Sequence, residues 1–209
     1  MRRVLVLAVL LGWLVTPALA QDQGVARLRI GYIGLAPSGP APHPFDDKPP
    51  QDEGLAGALL GIGDNNTSGR FTHQEFALDA HQVAKPEEAE ARFRQMTGEG
   101  IRLIVTNLPS ASLAALAAMP EARDAVFFDA GTSDDDLRAE KCDARVFHLL
   151  PSRAMLADAL AQYFKVKEWR RILLVTGRTP ADQAYGQAMK RALKKFSLKL
   201  VEEKPWTFA

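Results

Sequence analysis

Two short polar turns hold the residue types best suited to grip a small ligand. Residues 107–112 read Asn-Leu-Pro-Ser-Ala-Ser and follow the apolar run at 101–106 (IRLIVT). Residues 130–133 read Ala-Gly-Thr-Ser and follow a second apolar run at 125–128 (AVFF). The amide of Asn107 and the hydroxyls of Ser110, Thr132 and Ser133 can each donate or accept a hydrogen bond. Ser110 stands where it would cap a helix, and the N–H groups of a first helical turn suit a carboxylate or other small anion. Asp134, Asp135 and Asp136 follow Ser133, placed either to cap the next turn or to attract an ammonium group. A later stretch at 181–186 (ADQAYG) carries Tyr185 near a helix start, from which its ring could reach across a cleft. Each motif has a plainer alternative: helix capping, a solvated acidic turn, and ordinary packing.

Other motifs carry less. Residues 64–75 (DNNTSGRFTHQE) match a calcium loop, with Asp64, Asn66, Ser68, Gly69 and Glu75 at the ligand and turn positions. A helix must follow such a loop, however, and 75–83 reads as a strand. The expectation is a helix ending at 65–69, capped by Gly69, that leads into the second strand. Gly61-Ile62-Gly63 lies late in a helix, whereas a dinucleotide fingerprint needs the strand-to-helix turn. There is no Walker loop and no Gly-x-Ser-x-Gly elbow. His43, His73, His81 and His148 lack metal-ligand spacing. No catalytic residue, metal ligand or cofactor is expected, and the chain does not read as an enzyme.

The elements that must position these turns alternate. Strands are predicted at 28–35, 72–83, 101–106 and 125–128. Helices are predicted at 53–65, with Leu55, Leu59, Ile62 and Asn66 on one face, from Pro86 to about Gly98, and at 111–119 behind Ser110. The run at 36–51 is proline-rich and reads as a long surface loop. Strand–helix–strand spacing of this kind means right-handed crossovers and a parallel sheet flanked by helices. Residues 145–150 (RVFHLL) read as a crossing into a second set: a helix capped by Ser152, a strand at 171–176, a helix at 181–196 and a strand from 198. One βαβ unit with a pendant strand cannot cover both faces of its own sheet.

Composition bounds the class. The chain has 209 residues, 47% of them hydrophobic and 24% charged, with a net charge of +1. That balance is globular and gives no sign of a nucleic-acid partner. Arg2 and Arg3, an apolar run at 4–15 and Ala18-Leu19-Ala20 form a secretory signal peptide, expected to be removed after residue 20. No stable membrane insertion is then expected, and the protein reads as periplasmic. Cys142 is the single cysteine, so no disulfide forms within the chain.

Taken in order, GYIGL, GALLGIGDNNTSGRF, LIVTNLPSAS, FFDAGTSDDDL, VFHLLPS and ILLVTGRTPADQAYG resemble the branched-chain amino-acid (Leu/Ile/Val) type of ABC-transporter substrate-binding protein. The chain is also similar to a subgroup associated with pyrroloquinoline-quinone-dependent alcohol oxidation. The resemblance implies the type I periplasmic-binding-protein fold, with two α/β lobes closing like a hinge on a small ligand. It carries the serine after strand three onto Ser110, the Ala-Thr pair after strand four onto Thr132 and Ser133, and the second-lobe aromatic onto Tyr185. The first-lobe groups would then hold an amino acid's carboxylate. The family's second lobe is longer and supplies the ammonium-binding residues, which have no counterpart here.

The reading is therefore a signal peptide at 1–20, a first α/β lobe at 21–144, and a hinge crossing with an incomplete second lobe at 145–209. The function expected is capture of a small polar, amino-acid-like metabolite for an ABC permease of the inner membrane. Asn107, Ser110, Thr132, Ser133 and Tyr185 are its ligand-binding residues. The alternatives are a periplasmic sensor or accessory protein of a quinoprotein alcohol oxidation system, or a truncated form that binds nothing.

Overall fold

The computed structural model describes residues 24–37 and 50–207. The expected signal peptide and most of the proline-rich loop, with His43, lie outside the described residues. The chain runs β1 (Ala26–Leu35), α1 (Leu55–Thr72), β2 (Gln74–Val83), α2 (Glu88–Gly98), β3 (Leu103–Asn107), α3 (Ser110–Ala118) and β4 (Val126–Asp129). It continues through β5 (Val146–His148), α4 (Arg153–Val166), β6 (Arg171–Thr176), α5 (Pro180–Lys195) and β7 (Lys199–Pro205).

The first five strands form one parallel sheet in the order β2-β1-β3-β4-β5. β6 and β7 pair in a second parallel sheet. From β1 the chain moves outward to β2, then returns past β1 to β3. That reversal opens a crevice between the carboxyl ends of β1 and β3, where ligands bind in sheets of this kind.

Alternation along the strands sorts the two faces of the larger sheet. Ile33, Ile104 and Phe127 point to one face and pack with Phe93 and Met96 of α2 and Leu113 and Leu116 of α3. The Phe93 and Phe127 rings tilt against each other at 5.4 Å, a favoured aromatic separation. Ile30, Tyr32 and Val105 point to the opposite face, toward α1.

The second unit is thinner. Ala157 and Ala161 of α4 meet Ala188, Ala192 and Leu193 of α5 over Ile172 and Leu200. Alanines at these contacts let the two helices approach closely. On the far face of that sheet Leu173 and Val175 stand exposed.

Several boundaries differ from expectation. α1 does not stop at Gly69 but runs to Thr72, and His73 takes the left-handed cap conformation at φ 55°. Gly69 is buried inside the helix, where a Cβ would collide with the Gln74 carbonyl oxygen. A continuous helix places Asp64, Asn66 and Ser68 around its circumference, so they do not fold around an ion as a calcium loop would. Leu59, assigned to the packed face, is exposed. Asn66 instead pins the helix to the sheet: its amide donates to the Phe76 carbonyl at 2.9 Å and accepts from the Phe76 N–H at 2.7 Å. Pro86 precedes α2 and does not open it, the cap being Glu87.

Candidate ligand-binding site

The two polar turns meet. A Cβ added to Gly131 would lie 2.5 Å from the Leu108 nitrogen and 2.7 Å from its oxygen, so the 130–133 loop lies directly on the 107–109 turn. Only a glycine allows that approach. The structure thus brings Asn107, Ser110, Thr132 and Ser133 onto one rim at the carboxyl ends of β3 and β4.

Asp129 shapes the loop. It is fully buried at the end of β4. Its carboxylate accepts from the N–H groups of Gly131 at 3.0 Å and Thr132 at 3.1 Å. The other oxygen meets Nδ1 of His148 at 2.7 Å, and the far ring nitrogen lies 3.3 Å from the Leu137 carbonyl. A buried carboxylate is costly without such partners. Thr132 is buried in turn, and its Oγ accepts from the Asp134 N–H at 3.1 Å.

Ser110 is not the helix cap. Pro109 occupies that place, with no side-chain cap bond, and Ser110 is the first residue of α3. A proline ahead of the first turn fixes φ and needs no N–H there. The Ser110 hydroxyl is therefore not committed to capping. By contrast Ser152 does cap α4, accepting from the Met155 N–H at 3.2 Å.

The three aspartates are already engaged with basic groups. Asp134 pairs with Arg153. Asp135 accepts from the Ala154 N–H at 2.9 Å and from Arg191 at 2.6 Å, and Asp136 lies 3.8 Å from Lys141. Asp134 and Asp135 are thus committed to arginines, whereas Asp136 makes only a loose, exposed pair.

Arg153 connects the rim to Tyr185. Its N–H donates to the Ser133 carbonyl at 2.9 Å, and its guanidinium lies 5.5 Å from the Tyr185 ring centroid, within cation–π range. Tyr185 sits in the first turns of α5, which is capped by a reciprocal Thr179–Asp182 box. The residue is 44% exposed. Tyr185 is thus joined to the Ser133 side through Arg153 and does not touch the rim itself.

A groove of about 430 Å³ runs inward from Asn107 and Ala130 between α1 and the sheet. Tyr32 lies in its wall, and burial pushes its phenol above the ordinary value. The neighbouring Asn107 side chain offsets part of that shift without completing a hydrogen bond to the phenol.

Against known families, residues 53–209 match the model described as periplasmic binding protein. That span is most of the chain. The chain belongs to the periplasmic binding protein family.

Solved periplasmic binding proteins share its fold. An ABC transporter substrate-binding protein from Desulfitobacterium hafniense aligns at a TM-score of 0.68 with 16% identity, over 88% of this chain and 52% of that one. The leucine-, isoleucine-, valine-, threonine- and alanine-binding protein from Brucella ovis aligns at 0.66 with 17% identity, over 86% and 47%. A branched-chain amino acid ABC transporter ligand-binding protein from Burkholderia xenovorans aligns at 0.68 with 15% identity, over 87% and 47%. The chain spans about half the length of these structures. A comparison with curated proteins finds no match.

Sequence reasoning missed three residues that shape this periplasmic binding protein's rim and one in the wall of the adjoining groove. Asp129, followed by Ala-Gly-Thr, carried a readable signal, since an aspartate that accepts from N–H groups two and three residues on makes an Asx-type turn. His148, Arg153 and Tyr32 carried none, because their partners are distant in sequence.

Proposed function

We propose that this protein captures a small polar, amino-acid-like metabolite in the periplasm and presents it to an ABC permease of the inner membrane. The observation that carries this reading is the contact between the 107–109 turn and the 130–133 loop, which gathers Asn107, Ser110, Thr132 and Ser133. It stands at the carboxyl ends of parallel strands, beside the point where strand order reverses.

The roles follow from the chemistry. Ser110 and the free N–H groups at the start of α3 receive the ligand's carboxylate. Thr132 and Ser133 add hydroxyl and backbone partners. Tyr185 closes over the ligand from the second unit, oriented by Arg153. Capture is by binding and lobe closure, without covalent chemistry. The leader-like residues 1–20 support export, and the family's description supports the periplasmic location.

The test is a thermal-shift screen of the mature chain against the common amino acids and small carboxylic acids. A saturable rise in melting temperature with at least one of them is expected. No shift with any of them overturns the reading.

A further inference from the structure

We infer that the groove between α1 and the larger sheet is a second ligand site, which takes an uncharged, mainly apolar small molecule bearing one oxygen acceptor. Its volume of about 430 Å³ falls within the roughly 300–1,000 Å³ usual for small-molecule pockets. Its walls are Ile30, Val105, Phe76 and Leu78 of the sheet and the glycine-rich side of α1. None of the residues that line it is charged. A zwitterion or carboxylate entering here would lose its hydration with no counter-charge to replace it.

Two independent features mark the groove as built. The first is the glycine pair on α1. Gly57 and Gly61 stand one turn apart on the groove wall, and a Cβ at either would meet nothing within 4 Å. Glycine inside a helix costs roughly 0.5–1 kcal/mol relative to alanine. Packing does not require these two, and the space in front of them opens into the groove.

The second feature is Tyr32. The residue is 1% exposed, and its hydroxyl has no hydrogen-bond partner among the described residues. A buried hydroxyl left so is costly, and the natural remedy is a partner within the groove. Gly54 at the head of α1 brings the polar end together. It holds φ 82°, and a Cβ there would lie 2.5 Å from Asn107 Nδ2 and 2.7 Å from Tyr32 Oη. The phenol O–H and the Asn107 amide therefore converge at one end of an otherwise apolar channel. A carbonyl, ether or hydroxyl oxygen satisfies both, and the apolar body lies along Gly57 and Gly61.

This site is separate from the capture rim in its chemistry, although Asn107 borders both. The probe is the uncharged solvatochromic ketone Prodan, titrated into the full chain with fluorescence detection. Saturable one-to-one binding with a blue-shifted emission is expected. Gly57→Leu and Gly61→Leu fill the groove and weaken Prodan binding about tenfold or more. Their melting temperatures hold or rise, because the helix gains propensity and nothing is displaced. Tyr32→Phe weakens Prodan roughly 3- to 10-fold, the loss of one neutral hydrogen bond. Absence of saturable binding, or wild-type affinity in both leucine variants, overturns the site. Wild-type affinity in Tyr32→Phe overturns the assignment of the polar end. An amino acid that shifts the melting temperature while Prodan fails to bind defeats this proposal and leaves the capture reading standing. The converse result does the reverse.

Discussion

Asp129 and His148 meet at 2.7 Å across β4 and β5, and that contact ties the loop holding Thr132 to the strand that leaves the larger sheet. Each is the other's register partner in the parallel ladder. One oxygen of Asp129 holds the loop's two N–H groups, and the other holds the crossing strand. The one carboxylate therefore ties the loop to β5.

Asp129→Ala leaves the buried Thr132 N–H and the part-buried Gly131 N–H without their acceptor. A loss of roughly 1–3 kcal/mol in unfolding free energy is expected, measured by urea titration. A change below about 0.5 kcal/mol, the range of ordinary surface substitutions, would show that the loop does not depend on this carboxylate.

Ser110 and Thr132 separate stability from binding. Ser110→Ala removes a hydroxyl that caps nothing, so the melting temperature should hold while the affinity for the best amino acid of the screen falls by about 1 kcal/mol. Thr132→Ala also removes the acceptor for the Asp134 N–H and should lower both. Calorimetric titration checks the pair. Unchanged affinity in Ser110→Ala removes that residue from the site.

The glycines of α1 predict opposite signs. Gly63→Ala meets nothing within 4 Å and should stabilise the chain by roughly 0.5–1 kcal/mol. Gly69→Ala drives a methyl group into the Gln74 carbonyl and should destabilise it by about 1–3 kcal/mol. Equal effects at the two positions would contradict a helix that runs on to Thr72.

Acid should loosen the start of β5. Arg145 donates to both carboxylate oxygens of Asp143 and to the carbonyls of Ala117 and Ala122. The Arg145 hydrogen bonds hold the Asp143 carboxyl below its ordinary value. A depressed carboxyl contributes stability that is fully present above the unfolded value, about 3.9, and is lost as pH falls through the folded value. The stability gap between wild type and Asp143→Asn should stay constant from pH 5 to 8, taken as roughly the neutral plateau, and close below it. A gap independent of pH throughout would refute the pairing.

Much of the fold was legible because periodicity is local. The continuous apolar run at 101–106 announced an inner strand of a parallel sheet, and the run at 171–176 announced β6, which begins and ends where the run does although Leu173 and Val175 stand exposed. The turns after β3 and β4 could be picked out as polar breaks following such runs. α1 was misjudged at its end because Asn65, Ser68 and Gly69 are all helix-breaking types. Their propensity lost to packing: Asn66 bonds the edge strand, and Gly69 is required by the close passage of Gln74.

The sequence by itself determined the alternation of strands and helices, the parallel sheet and the polar turns at its carboxyl edge, since each depends on neighbouring residues. Only the tertiary structure decided which turns touch and which charges are already spent. Asp134 and Asp135 look like open anionic sites in the sequence, yet Arg153 and Arg191, 19 and 56 residues away, occupy them. Asp129 finds His148 and Tyr32 faces its groove for the same reason. These pairings depend on how the sheet brings distant segments together, and no local pattern encodes that distance.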